Sequence, residues 1–286
     1  MKKIYVVLGF FIFLLSVNFI FINNDDNRAT VDDGNWLFLK TDDLKEGEHH
    51  LKHFENFGKY VDGYNKYILK AIDEVQKTAM DGGGYFTGLK ANPPESPIGY
   101  DLKLLGKQLI KAPRKTSYCS GASYTVFIEA LNLKFADSNK ILPEENYEAM
   151  RMQEPDGGRR EDNVKFWGNW NADGYGNHFS MVQYSKIGRR INPKNARPGD
   201  FVNISWKSGL GHSVVFLGWN IDEKSDTNLV YFSSQKYTNG FGDVSVNINK
   251  IKEVLFVRLY EPEKIFTNKF DENVNYKIDG DIINFN

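Results

Sequence analysis

The chain contains a single cysteine, Cys119, at a position that suits a nucleophile. Apolar residues follow it at helical spacing: Ala122, Val126, Phe127, Ala130, Leu131 and Leu133. The sequence therefore predicts a helix that begins close to the cysteine and that Thr116 or Ser117 could cap. A thiol at a helix N-terminus lies near the positive end of the helix dipole, which favours the nucleophilic thiolate. The alternative is a small buried hydrophobic residue, which is the usual role of a free cysteine.

A general base for this thiol is found where a later strand is predicted to begin. The tight turn 208–211 leads into the apolar run 212–219, which is typical of a buried central strand and begins with His212. The imidazole could take the thiol proton, after which the thiolate attacks a carbonyl and the imidazolium protonates the leaving amine. The alternative is an ordinary histidine in a turn.

A third polar residue usually orients the imidazole, and strand pairing predicts where it lies. The polar segment 220–228 is expected to reverse the chain into a strand at 229–235. Antiparallel pairing then brings Ser234 or Gln235 opposite His212, with Ser233 on the diagonal. All three stay open, because a shift of one residue exchanges the faces of the strand. Gln235 is favoured, since its amide oxygen can accept the imidazole N–H.

Other side chains could bind a ligand, but each has a plainer interpretation. His49 and His53 lie one helical turn apart and could hold a metal if a third ligand converged, although an exposed helix face is expected instead. Trp167 and Trp170 could stack on sugars or peptides, with core packing as the alternative. His178 is a reserve candidate for the base. We therefore predict no metal site and no organic cofactor.

The remaining pattern predicts an α+β fold. A helical stripe of apolar residues runs through 59–80, and a shorter helix is expected near 101–110. Strands are predicted at 201–206, 212–219, 229–235, 244–248 and 254–260. These elements predict N-terminal helices, a helix that carries the cysteine, and an antiparallel sheet.

Composition and the N-terminus indicate an exported protein. Lysine and arginine number 36 against 37 acidic residues, so no charge excess points to nucleic acid. Residues 4–22 form an apolar run after Lys2 and Lys3, which predicts either a signal peptide or an uncleaved membrane anchor over residues 1–23. An anchor would place the rest of the chain outside the cytoplasm.

Three stretches in this order resemble the NlpC-type cell-wall peptidases and the related CHAP amidases, which are papain-like cysteine hydrolases. They are 118–121 (Tyr-Cys-Ser-Gly), 196–202 (Ala-Arg-Pro-Gly-Asp-Phe-Val) and 211–218 (Gly-His-Ser-Val-Val-Phe-Leu-Gly). The resemblance covers roughly residues 100–260. It implies that Cys119 is the nucleophile, that His212 is the base and that a polar residue near Gln235 orients it. The backbone N–H of Cys119 would then help to form an oxyanion hole.

Together with the polar composition of the two flanking segments, the resemblance leads to an expected domain plan and substrate. The expected plan is a linker or extension at 24–58, a papain-like hydrolase domain at 59–262 and a C-terminal tail at 263–286. The expected reaction is amide hydrolysis on a peptide or peptidoglycan substrate, with Tyr118, Ser120, Trp167 and Trp170 in contact with it. The alternatives are an acyltransferase, a protein-directed cysteine protease, or a non-catalytic cell-envelope binding module.

Overall fold

A computed structural model describes residues 35–44, 50–79, 83–91, 95–112, 114–154, 166–167, 176–275 and 278–285. The α-helices in these ranges are His53–Phe57 (α1), Asn65–Ala79 (α2), Cys119–Lys134 (α3) and Glu144–Ala149 (α4). A π-helical segment spans His178–Tyr184. The described strands are Leu102–Leu104 (β1), Lys107–Ile110 (β2), Gly188–Ile191 (β3), Phe201–Trp206 (β4), Gly211–Ile221 (β5), Thr227–Gln235 (β6), Gly240–Asn247 (β7) and Ile251–Leu259 (β8).

The main sheet is antiparallel and follows the order β3-β8-β4-β5-β6-β7. Its central strand, β5, pairs with β4 through residues 211–215 and with β6 through residues 215–221, with a register shift between Phe216 and Gly218. The combination of helices and sheet confirms the predicted α+β class. The five strands predicted from apolar patterning are all present.

The helix predicted near residues 101–110 is wrong, because this segment forms the β1–β2 hairpin. Leu105 and Gly106 form its turn with φ angles of 49° and 82°, a left-handed backbone that ends any helix. Leu102, Leu104 and Leu109 are buried, so the hairpin buries the same apolar residues whose spacing suggested a helix. The spacing alone did not separate the two structures.

Alternation along β5 divides the core into two clusters. Val215 and Leu217 pack in a larger cluster that also contains the buried residues of α2 and α3. Val214 and Phe216 point to the opposite face and pack in a second cluster with residues of β4, β6 and β8. The cysteine helix therefore covers one face of the sheet only.

The segments on either side of the expected hydrolase domain also contribute to the packed structure. Leu39 and Phe57 are buried in the larger cluster, and so is Ile265 from the 3-10 segment Pro262–Phe266. Asp281 forms an isolated bridge with Val254 of β8.

The predicted signal or anchor at 1–23 lies outside the described residues. In the ranges that are described, none of the helices combines the length and the apolar character needed to cross a membrane.

Candidate functional site

Cys119 is the first residue of α3, as the sequence predicts. The helix begins after Tyr118, whose extended backbone (φ −135°, ψ 162°) turns the chain into the first turn without a side-chain cap. The capping prediction for Ser117 is wrong, because its hydroxyl lies 2.7 Å from that of Ser234 on β6. Gly121 packs against the 96–97 backbone, where an added Cβ would lie 2.1 Å from the carbonyl oxygen of Pro97. The site thus requires glycine here.

The thiol of Cys119 is buried, with 1% of the residue exposed. Burial raises the pKa of Cys119 to about 11, although backbone N–H groups of Ser213, Ser120 and Cys119 itself act in the opposite direction. The N–H groups at the start of the helix favour the thiolate, as the sequence predicts, but burial outweighs them and the thiol of the free protein stays protonated. The resting group is a neutral thiol that is surrounded by donors suited to a negative sulfur.

His212 is the second residue of β5 and lies on the strand face opposite to α3. Its ring is 6.1 Å from that of Trp206 and 5.5 Å from that of Tyr231, measured between centroids. Burial lowers the pKa of His212 to about 4, while hydrogen bonding with the Gln235 side chain acts to raise it. The imidazole is therefore neutral at pH 7 and able to accept a proton.

Gln235, the last residue of β6, lies next to His212. The observed pairing of Val215 with Phe232 places His212 opposite Gln235 when it is continued to the strand ends. The Gln235 amide nitrogen donates to Thr238 Oγ1 at 2.9 Å and to the Gly242 carbonyl at 3.0 Å. Its Oε1 is buried and accepts no well-formed hydrogen bond from the described residues. The free oxygen thus remains for the imidazole.

The structure brings Cys119 and His212 to one place through Ser213. The sulfur of Cys119 is close enough to the Ser213 N–H for that donor to lower the pKa of the thiol, and Ser213 directly follows His212. No hydrogen bond joins the thiol to the imidazole among the described contacts of these two residues. The Cys119 sulfur therefore lies beside the backbone N–H that follows His212, and the thiol and the imidazole do not form a pair in the free protein.

Two tyrosines near the sulfur, Tyr85 and Tyr231, are the part of the site that the sequence did not predict. Tyr85 and Tyr118 lie with their ring centroids 5.8 Å apart. Burial raises the pKa of each, followed by the negative charge that Cys119 carries once it is deprotonated. Tyr231 is raised in pKa by the same two causes and stands edge-on to His212. Strand alternation could have placed Tyr231 on the face of His212. No pattern in the sequence pointed to Tyr85.

Three of the predicted substrate contacts lie in or next to the core. Trp167 is fully buried, stacks on Phe127 at 4.9 Å and donates to Ser123 Oγ at 2.8 Å, so its predicted contact with substrate is corrected to a packing role. The hydroxyl of Ser120 is buried and lies 2.6 Å from that of Ser96, which leaves it no surface for a ligand. Tyr118 is 4% exposed beside Cys119. Trp170 lies outside the described residues.

The histidine cluster does not form the expected exposed face. His53 is buried, with Nδ1 2.9 Å from Asp73 and Nε2 3.0 Å from Asp243. Burial lowers the pKa of His53, but the charges and hydrogen bonds of Asp243 and Asp73 outweigh it and raise the pKa to about 9. The described residues include no group suited to a metal ion. His49 lies outside them.

The reserve candidate, His178, lies in the π-helical segment. Burial lowers its pKa to about 4, and its Nδ1 is 3.4 Å from the Gln183 amide nitrogen. No described hydrogen bond links it to Cys119.

Comparison of the chain with protein-family models, with curated proteins and with solved structures found no match.

Proposed function

We propose that this chain is an exported cysteine amidohydrolase or peptidase with a papain-like domain of the NlpC and CHAP type. Cys119 acts as the nucleophile, His212 as the base and Gln235 as the residue that orients the imidazole. The substrate is the stem peptide of peptidoglycan or its amide linkage to sugar. The substrate class and the exported location rest on the sequence resemblance and on the apolar run at residues 4–22.

The observation that carries this proposal is the meeting of three elements at the start of α3. The sulfur of Cys119 faces the N–H of Ser213, the preceding residue is His212, and the neighbouring strand ends with Gln235. Amide hydrolysis through a thioester requires a nucleophile, a base and a polar group that orients the base. Here the start of α3, the start of β5 and the end of β6 would supply them.

The resting protonation states define the first step. The pKa values of about 11 for Cys119 and about 4 for His212 keep both groups neutral in the free protein. Substrate binding must therefore bring the thiol to the imidazole, and the ion pair that then forms is stabilised by mutual attraction in a site of low dielectric constant. The thiolate forms a thioester with the acyl carbon, the imidazolium protonates the leaving amine, and water releases the acid.

The test is incubation with purified peptidoglycan, followed by mass spectrometry of the released fragments. Wild-type protein and a Glu74→Gln control are expected to release the same fragments, because Glu74 lies on α2, where it forms an exposed ion pair with Lys77. Cys119→Ala is expected to release none, and His212→Ala about 100-fold less. Equal release by wild type and Cys119→Ala would exclude the cysteine mechanism on this substrate.

The same site could transfer the acyl group to an amine or cleave a protein instead. Addition of a free amine, with analysis for amide products, separates transfer from hydrolysis. A protein-directed protease would release peptides from an unfolded protein and none from peptidoglycan.

The burial of Cys119 favours a second candidate, a non-catalytic cell-envelope binding module. With 1% of the cysteine exposed and no hydrogen bond to His212, the thiol would serve as a packed core residue. This candidate predicts that wild type and Cys119→Ala sediment equally with peptidoglycan and that neither releases fragments. The hydrolase predicts release by the wild type alone.

A further inference from the structure

Two buried pairs of serine hydroxyls join the start of α3 to the sheet. The Ser123 and Ser213 hydroxyl oxygens are 2.6 Å apart, and those of Ser117 and Ser234 are 2.7 Å apart. At most 1% of each of these four residues is exposed. These distances correspond to well-formed O–H···O hydrogen bonds.

The positions of the pairs follow the three proposed site residues. Ser123 lies four residues after Cys119, one helical turn further along α3, and Ser213 directly follows His212. Ser117 comes two residues before Cys119, while Ser234 directly precedes Gln235. One pair therefore links the cysteine helix to the strand of His212, and the other links the segment just before that helix to the strand of Gln235.

Further hydrogen bonds hold the serines in place. Ser123 Oγ also accepts the Trp167 indole N–H at 2.8 Å, and the Ser233 hydroxyl donates to the Ser213 carbonyl at 2.8 Å. Ser213 is also the residue whose backbone N–H faces the Cys119 sulfur. The Ser123–Ser213 pair therefore joins the helix that carries the thiol to the strand that carries the imidazole.

Stability alone gives no reason to use hydroxyl pairs here. Two apolar side chains of similar shape could replace such a pair at nearly no cost, whereas one unpaired buried hydroxyl is destabilising. What a hydroxyl pair adds is direction and a fixed distance, because a hydrogen bond weakens steeply when its geometry changes. Apolar contacts would let the helix slide against the strand.

We propose that Ser123, Ser213, Ser117 and Ser234 are positioning residues, which set the separation of the Cys119 sulfur from the His212 imidazole and the Gln235 amide. This inference rests on the proposed hydrolase function. None of the four touches the reacting atoms through its hydroxyl. They act by fixing the second turn of α3 and the segment just before the helix against two strands, on either side of Cys119.

The chain offers a matched control for these pairs. Ser96 and Ser120 form a third buried hydroxyl contact at 2.6 Å. This contact ties Ser120, in the same helix, to the 95–98 segment, which carries none of the three site residues. Ser96→Ala therefore removes one buried serine hydroxyl contact of equal length without touching the link to the sheet.

The test compares Ser123→Ala, Ser213→Ala, the double variant and Ser96→Ala in the full chain. The variants of Ser123 and Ser213 are expected to lower kcat by about 10- to 100-fold with KM unchanged, because a shift of about 1 Å misplaces the reacting groups. The double variant should lose no more than either single one, since both remove one shared bond. Ser96→Ala should keep the wild-type kcat while showing a similar loss of thermal stability. A loss of kcat in Ser96→Ala equal to that in Ser123→Ala and Ser213→Ala would overturn the proposal.

A second readout does not depend on activity. The NMR signals of the Ser213 amide and the His212 ring are expected to shift in Ser123→Ala and to stay unchanged in Ser96→Ala. Unchanged signals in Ser123→Ala would overturn the positioning role. A wild-type protein without hydrolase activity would contradict the proposed function alone, and these NMR signals would still decide whether the serine pairs set the site geometry.

Discussion

At the scale of single residues, the protonation state of Cys119 is the property with the clearest chemical consequence. Its thiol pKa of about 11 lies above the ordinary value because burial disfavours the thiolate. At pH 8.5 we expect iodoacetamide to alkylate the folded protein about 100-fold more slowly than the same protein in urea, where the thiol pKa is ordinary. Time-resolved intact-mass measurements give both rates.

The matching control for this prediction is Cys119→Ser, which should take up no label at all. The alkylation rate of the folded wild type should rise steadily as the pH approaches 11. A plateau already reached near pH 6 would mean that the resting thiol is a thiolate, contrary to the burial seen here.

His53 offers a second prediction at this scale, through the pH dependence of stability. Its folded pKa of about 9 exceeds the ordinary histidine value of 6.5, so its bonds to Asp73 and Asp243 stabilise the protein fully below pH 6.5. That contribution is lost as the pH rises through 9, and linkage places it at about 3 kcal/mol. Urea unfolding at pH 6 and pH 10 should show this loss in the wild type and a clearly smaller pH dependence in His53→Gln.

The sequence could locate the candidate residues Cys119, His212 and Gln235 because their signals are local. A cysteine before a helical pattern and a histidine at the start of an apolar run are visible without a structure. Pairing residues outward from the predicted turn at 220–228 led to Gln235 as the favoured of three candidates. The burial of Trp167, Ser120 and His53 was not visible. It depends on which distant segments cover them, such as the 96–97 backbone and strand β7.

At the scale of elements, a buried ion pair holds the turn before β4. Asp200 accepts Arg258 Nε and one terminal nitrogen at 2.7 Å each, and the Asn65 amide donates to it at 2.8 Å. These contacts join β4, β8 and α2. Gly199 supports the turn with φ of 91° and lies against the Asn65 backbone, where a side chain would be strained.

Breaking this pair should be strongly destabilising. Arg258→Met leaves a buried carboxylate without its charge partner, and we expect a loss of about 3–5 kcal/mol in the free energy of unfolding. Glu74→Gln removes the exposed Lys77–Glu74 pair and should cost less than about 1 kcal/mol. Urea denaturation measures both variants, and similar losses in the two would contradict the structural role assigned to the Asp200–Arg258 pair.

The strands were predictable because β4, β5 and β6 have long apolar patterns between clear turns. Two elements were not. Strand β3 is short and reads Gly-Arg-Arg-Ile, so its sequence carries almost no apolar signal, and pairing with β8 makes it a strand. The β1–β2 hairpin depends on a two-residue turn that the spacing of leucines does not specify.

At the scale of the whole molecule, the proposed site lies where the two faces of the sheet meet the start of α3. Ser213 faces the helix through Ser123, while His212 turns to the second core cluster beside Trp206 and Tyr231. The sulfur and the imidazole therefore approach from different sides of one strand. Catalysis in this arrangement needs a substrate that draws the two side chains together at the start of β5.

The most direct test of the Cys119–His212 pair uses an electrophilic analogue of the peptidoglycan stem peptide, such as a vinyl sulfone, at pH 7. We expect a single covalent adduct on Cys119 in the wild type, formed at least about 100-fold more slowly in His212→Ala, since the imidazole must take the thiol proton. Peptide mapping by mass spectrometry locates and times the adduct. An adduct that forms equally fast in His212→Ala, or none on folded protein whose cysteine reacts in urea, would contradict the account.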